Sequence, residues 1–112
     1  MYESVRGTAR RVLVVGTQTN NAHLSPDAAL APDGMLIVME SDRARADEVR
    51  HRFASAGYGD RATVIGGDPR RVVHKLAGPF DVIFYDSTYQ SVRPMLERLL
   101  TPAGVIISND DK

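Results

Sequence analysis

Polar side chains follow the ends of four hydrophobic segments in this sequence, and several of them are acids or amides. The four ends are Gly16–Thr19, Glu40–Asp42, Asp86–Thr88 and Ser108–Asp111. Carboxylate oxygens accept hydrogen bonds from ribose hydroxyls and bind hard cations such as Mg²⁺. Each acid taken singly is equally well explained as a helix cap or as part of a solvated loop. Their repetition at nearly every segment end favours a binding site.

The hydrophobic segments themselves predict buried β-strands, because each is a continuous run of apolar residues. The predicted strands are Val12–Val15, Met35–Glu40, Arg61–Gly67, Phe80–Asp86 and VIISND at residues 105–110. Helical segments separate the strands, and this alternation indicates an α/β fold of the Rossmann-like type. In this three-layer fold, helices cover both faces of a mainly parallel sheet. Ligands bind at the carboxyl ends of such strands, where the polar side chains lie.

Apolar residues at helical spacing predict the helices of this fold. The clearest helix follows Ser41 and ends at Gly57, with Val49 and Phe53 facing inward. The other predicted helices open at Ser25-Pro26-Asp27, run from Asp68 to Gly78 with Val72, Val73 and Leu76 inward, and cover residues 92–100 before the turn TPAG.

The composition is that of a single globular domain. The 112 residues include 14 basic and 14 acidic side chains, so the net charge does not favour nucleic acid or an anionic membrane as a partner. No apolar segment approaches the ~20 residues of a membrane span, and the N-terminus does not read as a signal peptide. Cysteine is absent, which excludes disulfides and thiolate zinc sites. We therefore expect one cytoplasmic domain over residues 1–112.

The turn after the first strand argues against a nicotinamide or flavin site. Such a site uses G-x-G-x-x-G, whose glycines let the backbone approach the pyrophosphate. Here the turn is GTQTNN, with Gly16 as its single glycine. Glu40 nevertheless lies about twenty residues beyond the turn, where a ribose-binding carboxylate is expected. A carboxylate at that place suits any adenosine ribose and does not by itself identify the cofactor.

Five motifs in register between Arg11 and Asp110 make the sequence resemble a known family. They are VLVVGTQT, IVMESD, AGYGDRATVIGGD, GPFDVIFYDS and LLTPAGVIISND. The family is the class I S-adenosylmethionine-dependent O-methyltransferases of the catechol and caffeoyl-coenzyme A type. The resemblance implies the strand order 3-2-1-4-5, S-adenosylmethionine as the cofactor and a small molecule as the methyl acceptor. The two strands that usually follow the fifth in this family are not matched.

The resemblance also implies which residues bind the cofactor. Gly16 and Thr17 would lie against its methionine part, and Gln18 belongs to the same turn. Glu40 would hold the ribose, and the next residue, Ser41, would also bind the cofactor. A side chain at the glycine would clash with the cofactor's path.

Four further residues are assigned by the same resemblance. Asp68 would face the adenine edge, although it also reads as the N-cap of the helix opened by a proline. Asp86 would also belong to the cofactor-binding residues, either as the first metal ligand or as the catalytic acid near the reacting methyl group. Asp86, Asn109 and Asp110 together would form an oxygen-rich site for Mg²⁺ or another divalent cation.

The sequence departs from the family pattern at several of these places. Val14 replaces a glutamate of the first strand, and Tyr89 replaces a lysine that assists deprotonation of the substrate. Tyrosine is a poor general base because its pKa is near ~10. The family has aspartate followed by asparagine at its metal-binding pair, whereas this sequence has Asn109 followed by Asp110. The charged side chain is therefore shifted by one residue, which places it on the other side of the strand.

Two functions remain open on the sequence. The first is an S-adenosylmethionine-dependent O-methyltransferase, whose activity is expected to be reduced because the family's substrate-binding segments are not matched. The second is a non-catalytic Rossmann-like module that binds an adenosine ligand or another protein. A homo-oligomer is expected if the apolar edge of the fifth strand is left uncovered.

Overall fold

In the part of the chain that the structure describes, five parallel strands form one sheet in the order β3-β2-β1-β4-β5. The computed structural model describes residues 9–16, 30–55, 57 and 60–108. The strands are β1 Ala9–Val15, β2 Leu30–Glu40, β3 Ala62–Gly66, β4 Phe80–Tyr85 and β5 Leu100–Ser108. The strand order and the parallel pairing confirm the predicted fold, and they place β1 between β2 and β4.

Alternate residues of β1 pack into two separate cores, one on each face of the sheet. Val12 and Val14 face a core that helix α1, Arg43–Ser55, covers. Leu13 and Val15 face the opposite core, which the helical segments after β3 and β4 cover. Because successive side chains of a strand point to opposite faces, a continuous apolar run is buried on both sides. The predicted three-layer arrangement is therefore confirmed.

Helix α1 forms where the sequence predicts it. The Asp42 carboxylate accepts a hydrogen bond from the Arg45 N–H at 3.0 Å, which caps the first turn. Gly57, with φ +89°, follows the helix in the left-handed conformation expected of a glycine stop. The buried side chains are Ala46, Val49 and Phe53.

The helix after Asp68 is shorter than predicted. Helix α2 spans Pro69–Val72, a 3₁₀ turn spans Val73–Lys75, and Leu76 is extended with φ −85° and ψ 144°. The predicted end at Gly78 is wrong, because the chain leaves the helical conformation early to reach the start of β4. The three apolar residues predicted to face inward do pack on the core.

The prediction around residues 99–104 is also wrong. Helix α3 is Arg93–Arg98, and Leu100, predicted as helical, is the first residue of β5. The predicted turn TPAG lies inside that strand. Phe80 pairs with Leu100 and Val82 with Val105, so that one intervening residue of β4 faces four of β5. The four residues of the predicted turn are thus accommodated as a bulge in β5, and the pairing with β4 continues beyond them.

The first two strands begin earlier than predicted, at Ala9 and Leu30, and these two residues pair. The helix predicted to open at Ser25-Pro26-Asp27 lies outside the described residues. Within the described part of the chain, no helix has the length and apolar character needed to cross a bilayer.

Candidate functional site

The ends of β1, β2 and β4 lie side by side at the carboxyl edge of the sheet. Val15 pairs with Met39 on one side and with Tyr85 on the other. The residues that follow these three are Gly16, Glu40 and Asp86. The register therefore brings together three residues that the sequence assigned to the cofactor.

Gly16 continues β1 in a conformation that other residues rarely adopt. Its φ is +82°, and its N–H donates to the Met39 carbonyl oxygen at 2.8 Å. A Cβ at this position would lie 2.8 Å from Cε2 of Tyr89 and 3.3 Å from Cβ of Asp86. Both the backbone conformation and the close neighbours therefore require glycine.

Glu40 places a buried carboxylate at the end of β2. The residue is 3% exposed, and its Oε2 accepts a hydrogen bond from the Asp42 N–H at 2.8 Å. Its main-chain oxygen accepts from the Gly67 N–H at 3.1 Å, which ties the ends of β2 and β3 together. The orientation of the carboxylate is thus fixed by the backbone that follows it.

Asp86 occupies the equivalent place after β4 and is 6% exposed. Its N–H donates to the Val15 carbonyl oxygen at 3.0 Å, and its Oδ1 accepts from the Thr88 N–H at 2.9 Å. The carboxylate therefore caps the 3₁₀ segment Ser87–Val92. Asp86 lies directly beside Gly16, as the predicted site requires.

Asp68 and Ser41 stand on the side of this edge toward β3. Asp68 caps α2, because its Oδ1 accepts from the Arg70 N–H at 3.0 Å, so the capping interpretation is confirmed. The same oxygen lies 3.3 Å from the Arg70 guanidinium. Ser41 is exposed, and its Oγ shares a hydrogen bond of 3.3 Å with the Tyr89 hydroxyl.

Tyr89 joins the site in a way that the sequence did not predict. Its ring lies against Gly16, its hydroxyl reaches Ser41, and the Arg70 guanidinium lies 5.1 Å from the ring centroid. Sequence comparison identified this tyrosine as the replacement for a lysine. No local signal indicates that its ring would cover a glycine so distant in the sequence.

The segment that carries Tyr89 is anchored to the core by a neighbouring tyrosine. The buried Tyr85 hydroxyl donates to Oε1 of Gln90 at 2.9 Å and accepts from the Arg93 guanidinium at 2.9 Å. Tyr85, just before the segment, is thus joined to Gln90 within it and to Arg93 directly after it. The hydrogen bond with Tyr85, assisted by one with Glu97, raises the pKa of Arg93 above its ordinary value.

An open groove of about 810 Å³ lies beside the site, between α1 and the end of β3. Its lining residues are Ser41, Arg43, Ala46, Asp47, Arg50, Gly66 and Gly67. Arg50 is held by the Asp47 carboxylate at 2.7 Å and by the Val64 carbonyl oxygen at 3.1 Å. Ser41, which the sequence assigned to the cofactor, lines this groove. Gly16, Glu40 and Asp86 are not among its lining residues.

Four predicted site residues, Thr17, Gln18, Asn109 and Asp110, lie outside the described residues. Among the residues that are described, no group of three His, Cys, Asp or Glu side chains is arranged to hold a metal ion. Asp86 is thus the one described member of the predicted cation site, and its Oδ1 already accepts the Thr88 N–H. The described residues by themselves do not fit a divalent cation.

Comparison with protein families gives a match over nearly the whole chain. The model of a family described as O-methyltransferase matches residues 4–111. A catechol O-methyltransferase of Mycobacterium tuberculosis is 32% identical over 80 residues, which are 70% of this chain and 36% of that enzyme. The chain therefore spans about a third of this curated relative.

Solved structures show the same similarity in three dimensions. Cofactor-bound Rv0187 from MTB has a TM-score of 0.78 and 29% identity, over 89% of this chain and 48% of that one. TomG from Streptomyces achromogenes, an O-methyltransferase in complex with SAM, has a TM-score of 0.76 and 26% identity. The match covers 89% of this chain and 48% of TomG. The chain corresponds to about half of each solved protein.

Proposed function

Because the chain belongs to the O-methyltransferase family, we propose that it binds S-adenosylmethionine and takes part in methyl transfer to an oxygen atom of a small molecule. The observation that carries this proposal is the line of Gly16, Glu40 and Asp86 across three adjacent strand ends. Parallel α/β sheets bind ligands at this edge. The SAM bound to TomG supports the choice of cofactor.

Each described site residue has a role in this proposal. Gly16 lets the cofactor approach the backbone, since it presents no side chain. The buried Glu40 carboxylate accepts hydrogen bonds from the ribose hydroxyls, and Ser41 and Asp68 line the side toward the adenine. Asp86 lies near the reacting methyl group. Thr17 and Gln18 remain predictions for the methionine part.

The proposed chemistry depends on positioning more than on acid or base catalysis. The cofactor supplies a methyl group on a sulfonium, and attack by a substrate oxygen forms the C–O bond as the C–S bond breaks. The chain must hold the acceptor in line and receive its proton. Tyr89 is a weak base for that proton, so we expect slow turnover of catechols. A divalent cation at Asp86 would need Asn109 and Asp110, and it remains a prediction.

Calorimetric titration tests the proposed cofactor directly. We expect S-adenosylhomocysteine to bind with measurable heat and NAD to give none, because the turn at Gly16 lacks the glycines of a dinucleotide site. The NAD titration, in the same buffer, is the control. Absence of heat with both ligands would contradict the proposal and favour a protein-interaction module.

We propose self-association through β5 as the state of the chain in solution. In the described part of the chain, β5 pairs with β4 along one edge and with no strand along the other. It is nine residues long and contains Val105, Ile106 and Ile107. A long apolar edge strand tends to pair with another chain.

We expect light scattering over a dilution series to show a dimer or larger species at high micromolar concentration. A constant monomer mass throughout the series would contradict this.

A cytoplasmic location is also part of the proposal, supported by the absence of cysteine.

A further inference from the structure

The Tyr89 side chain crosses the carboxyl edge of the sheet directly above the end of β1. It starts from the segment after β4, and its hydroxyl reaches Ser41 after β2. Because β1 lies between those two strands, the ring passes over Gly16. An ideal Cβ on that glycine would lie only 2.8 and 3.2 Å from two ring carbons. The ring therefore fills the space above the glycine.

This space is the one that the proposed cofactor must enter. The cofactor would extend from Gly16 toward the Glu40 carboxylate with Asp86 beside it, and two groups of atoms cannot share the volume. We propose that Tyr89 and the cofactor compete for the place over Gly16, so that Tyr89 sets the affinity of the site. This inference rests on the proposed function.

Side-chain contacts hold the ring in this position. The Arg70 guanidinium lies over one part of the ring at 5.1 Å from its centroid, and the Ser41 hydrogen bond holds the hydroxyl at 3.3 Å. The ring also packs on the core beneath α2 and α3. These contacts favour the covered arrangement over one in which the ring is turned outward.

The ring can leave without disturbing the backbone around it. Tyr89 is half-buried, and its own N–H donates to the Asp86 carbonyl oxygen at 2.8 Å, a bond that does not depend on the side chain. Rotation of the side chain thus breaks the contacts with Arg70 and Ser41 and leaves the capping of the segment by Asp86 intact. Competition of this kind lowers apparent affinity by the fraction of molecules in which the place is open.

Titration of S-adenosylhomocysteine into the wild type, Tyr89→Ala and Tyr89→Phe tests the inference. We expect Tyr89→Ala to bind about tenfold more tightly, because one cation–π contact and one hydrogen bond no longer hold the site closed. Tyr89→Phe keeps the ring and loses the Ser41 contact, so a gain of about threefold is expected. Ser91→Ala, at an exposed position of the same 3₁₀ segment, is the matched control and should bind like the wild type.

The possible outcomes separate this inference from the proposed function. Equal or weaker binding by Tyr89→Ala, with normal binding by the wild type, would overturn the inference and leave the proposed function standing. Weaker binding would identify Tyr89 as a platform on which the cofactor stacks. If Tyr89→Ala does not fold, Tyr89→Phe decides, and equal or weaker binding by that variant overturns the inference. No binding by any of the four proteins would overturn the proposed function itself.

Discussion

Replacement of Glu40 by alanine is expected to weaken S-adenosylhomocysteine binding by at least tenfold. The carboxylate is buried at the end of β2, and the Asp42 N–H holds its Oε2. A carboxylate that takes both ribose hydroxyls forms charge-assisted hydrogen bonds, each worth roughly 1.5–3 kcal/mol. Loss of even one such bond accounts for a tenfold change, and calorimetric titration measures it.

Two control variants separate binding from folding in this experiment. Glu48→Ala removes the same charge from an exposed position on α1 and should leave the affinity unchanged. Glu40→Gln keeps an oxygen that can accept the Asp42 N–H and loses the negative charge, so its affinity should lie between those of wild type and Glu40→Ala. Wild-type affinity in a folded Glu40→Ala variant would show that the ligand binds elsewhere.

Replacement of Gly16 by alanine is expected to lower both stability and cofactor affinity. Its φ of +82° is unfavourable for a residue with a Cβ, and that atom would lie 2.8 Å from the Tyr89 ring and 3.3 Å from Cβ of Asp86. We expect a loss of about 1–3 kcal/mol in the free energy of unfolding, measured by urea denaturation. Cofactor binding should weaken by about tenfold or more, because the added methyl group and the strained turn prevent the ligand from approaching the backbone closely.

The glycine at the end of β3 offers a matched control. A Cβ on Gly66 would meet nothing within 4 Å, and its φ is not positive, so Gly66→Ala should change stability little. The double variant Gly16→Ala with Tyr89→Ala removes the clash with the ring and keeps the backbone strain. The stability lost by Gly16→Ala should therefore be smaller in the Tyr89→Ala background than in the wild type. A Gly16→Ala protein as stable as the wild type would show that the turn adapts to a side chain.

Local sequence patterns determined the strands and the best-formed helix. The apolar runs around Val12–Val15 and Phe80–Asp86 are buried on both faces, and this pattern is visible without knowledge of the fold. The alternation of strands and helices then implies a parallel sheet, whose carboxyl edge collects the residue after each strand. For this reason the sequence by itself assigns Gly16, Glu40 and Asp86 to one site.

Motif likeness to a family supplied what local patterns could not. The apolar runs do not say which strands are neighbours, and the order 3-2-1-4-5 came from five motifs in register. The pairing of β1 with β2 and β4 confirms that order. The roles of Thr17, Gln18, Asn109 and Asp110 rest on the same likeness and remain predictions.

Only the tertiary structure decided the features that depend on contacts between distant segments. The signal TPAG predicts a turn, yet residues 101–104 lie inside β5, because this strand pairs with β4 on both sides of them and a shift in register accommodates the extra residues. The helix opened by Asp68 ends early because the chain must enter β4. The ring of Tyr89 covers Gly16 because β4 lies beside β1 and its following segment is anchored through Tyr85. Such contacts join residues far apart in the chain, and no local pattern encodes them.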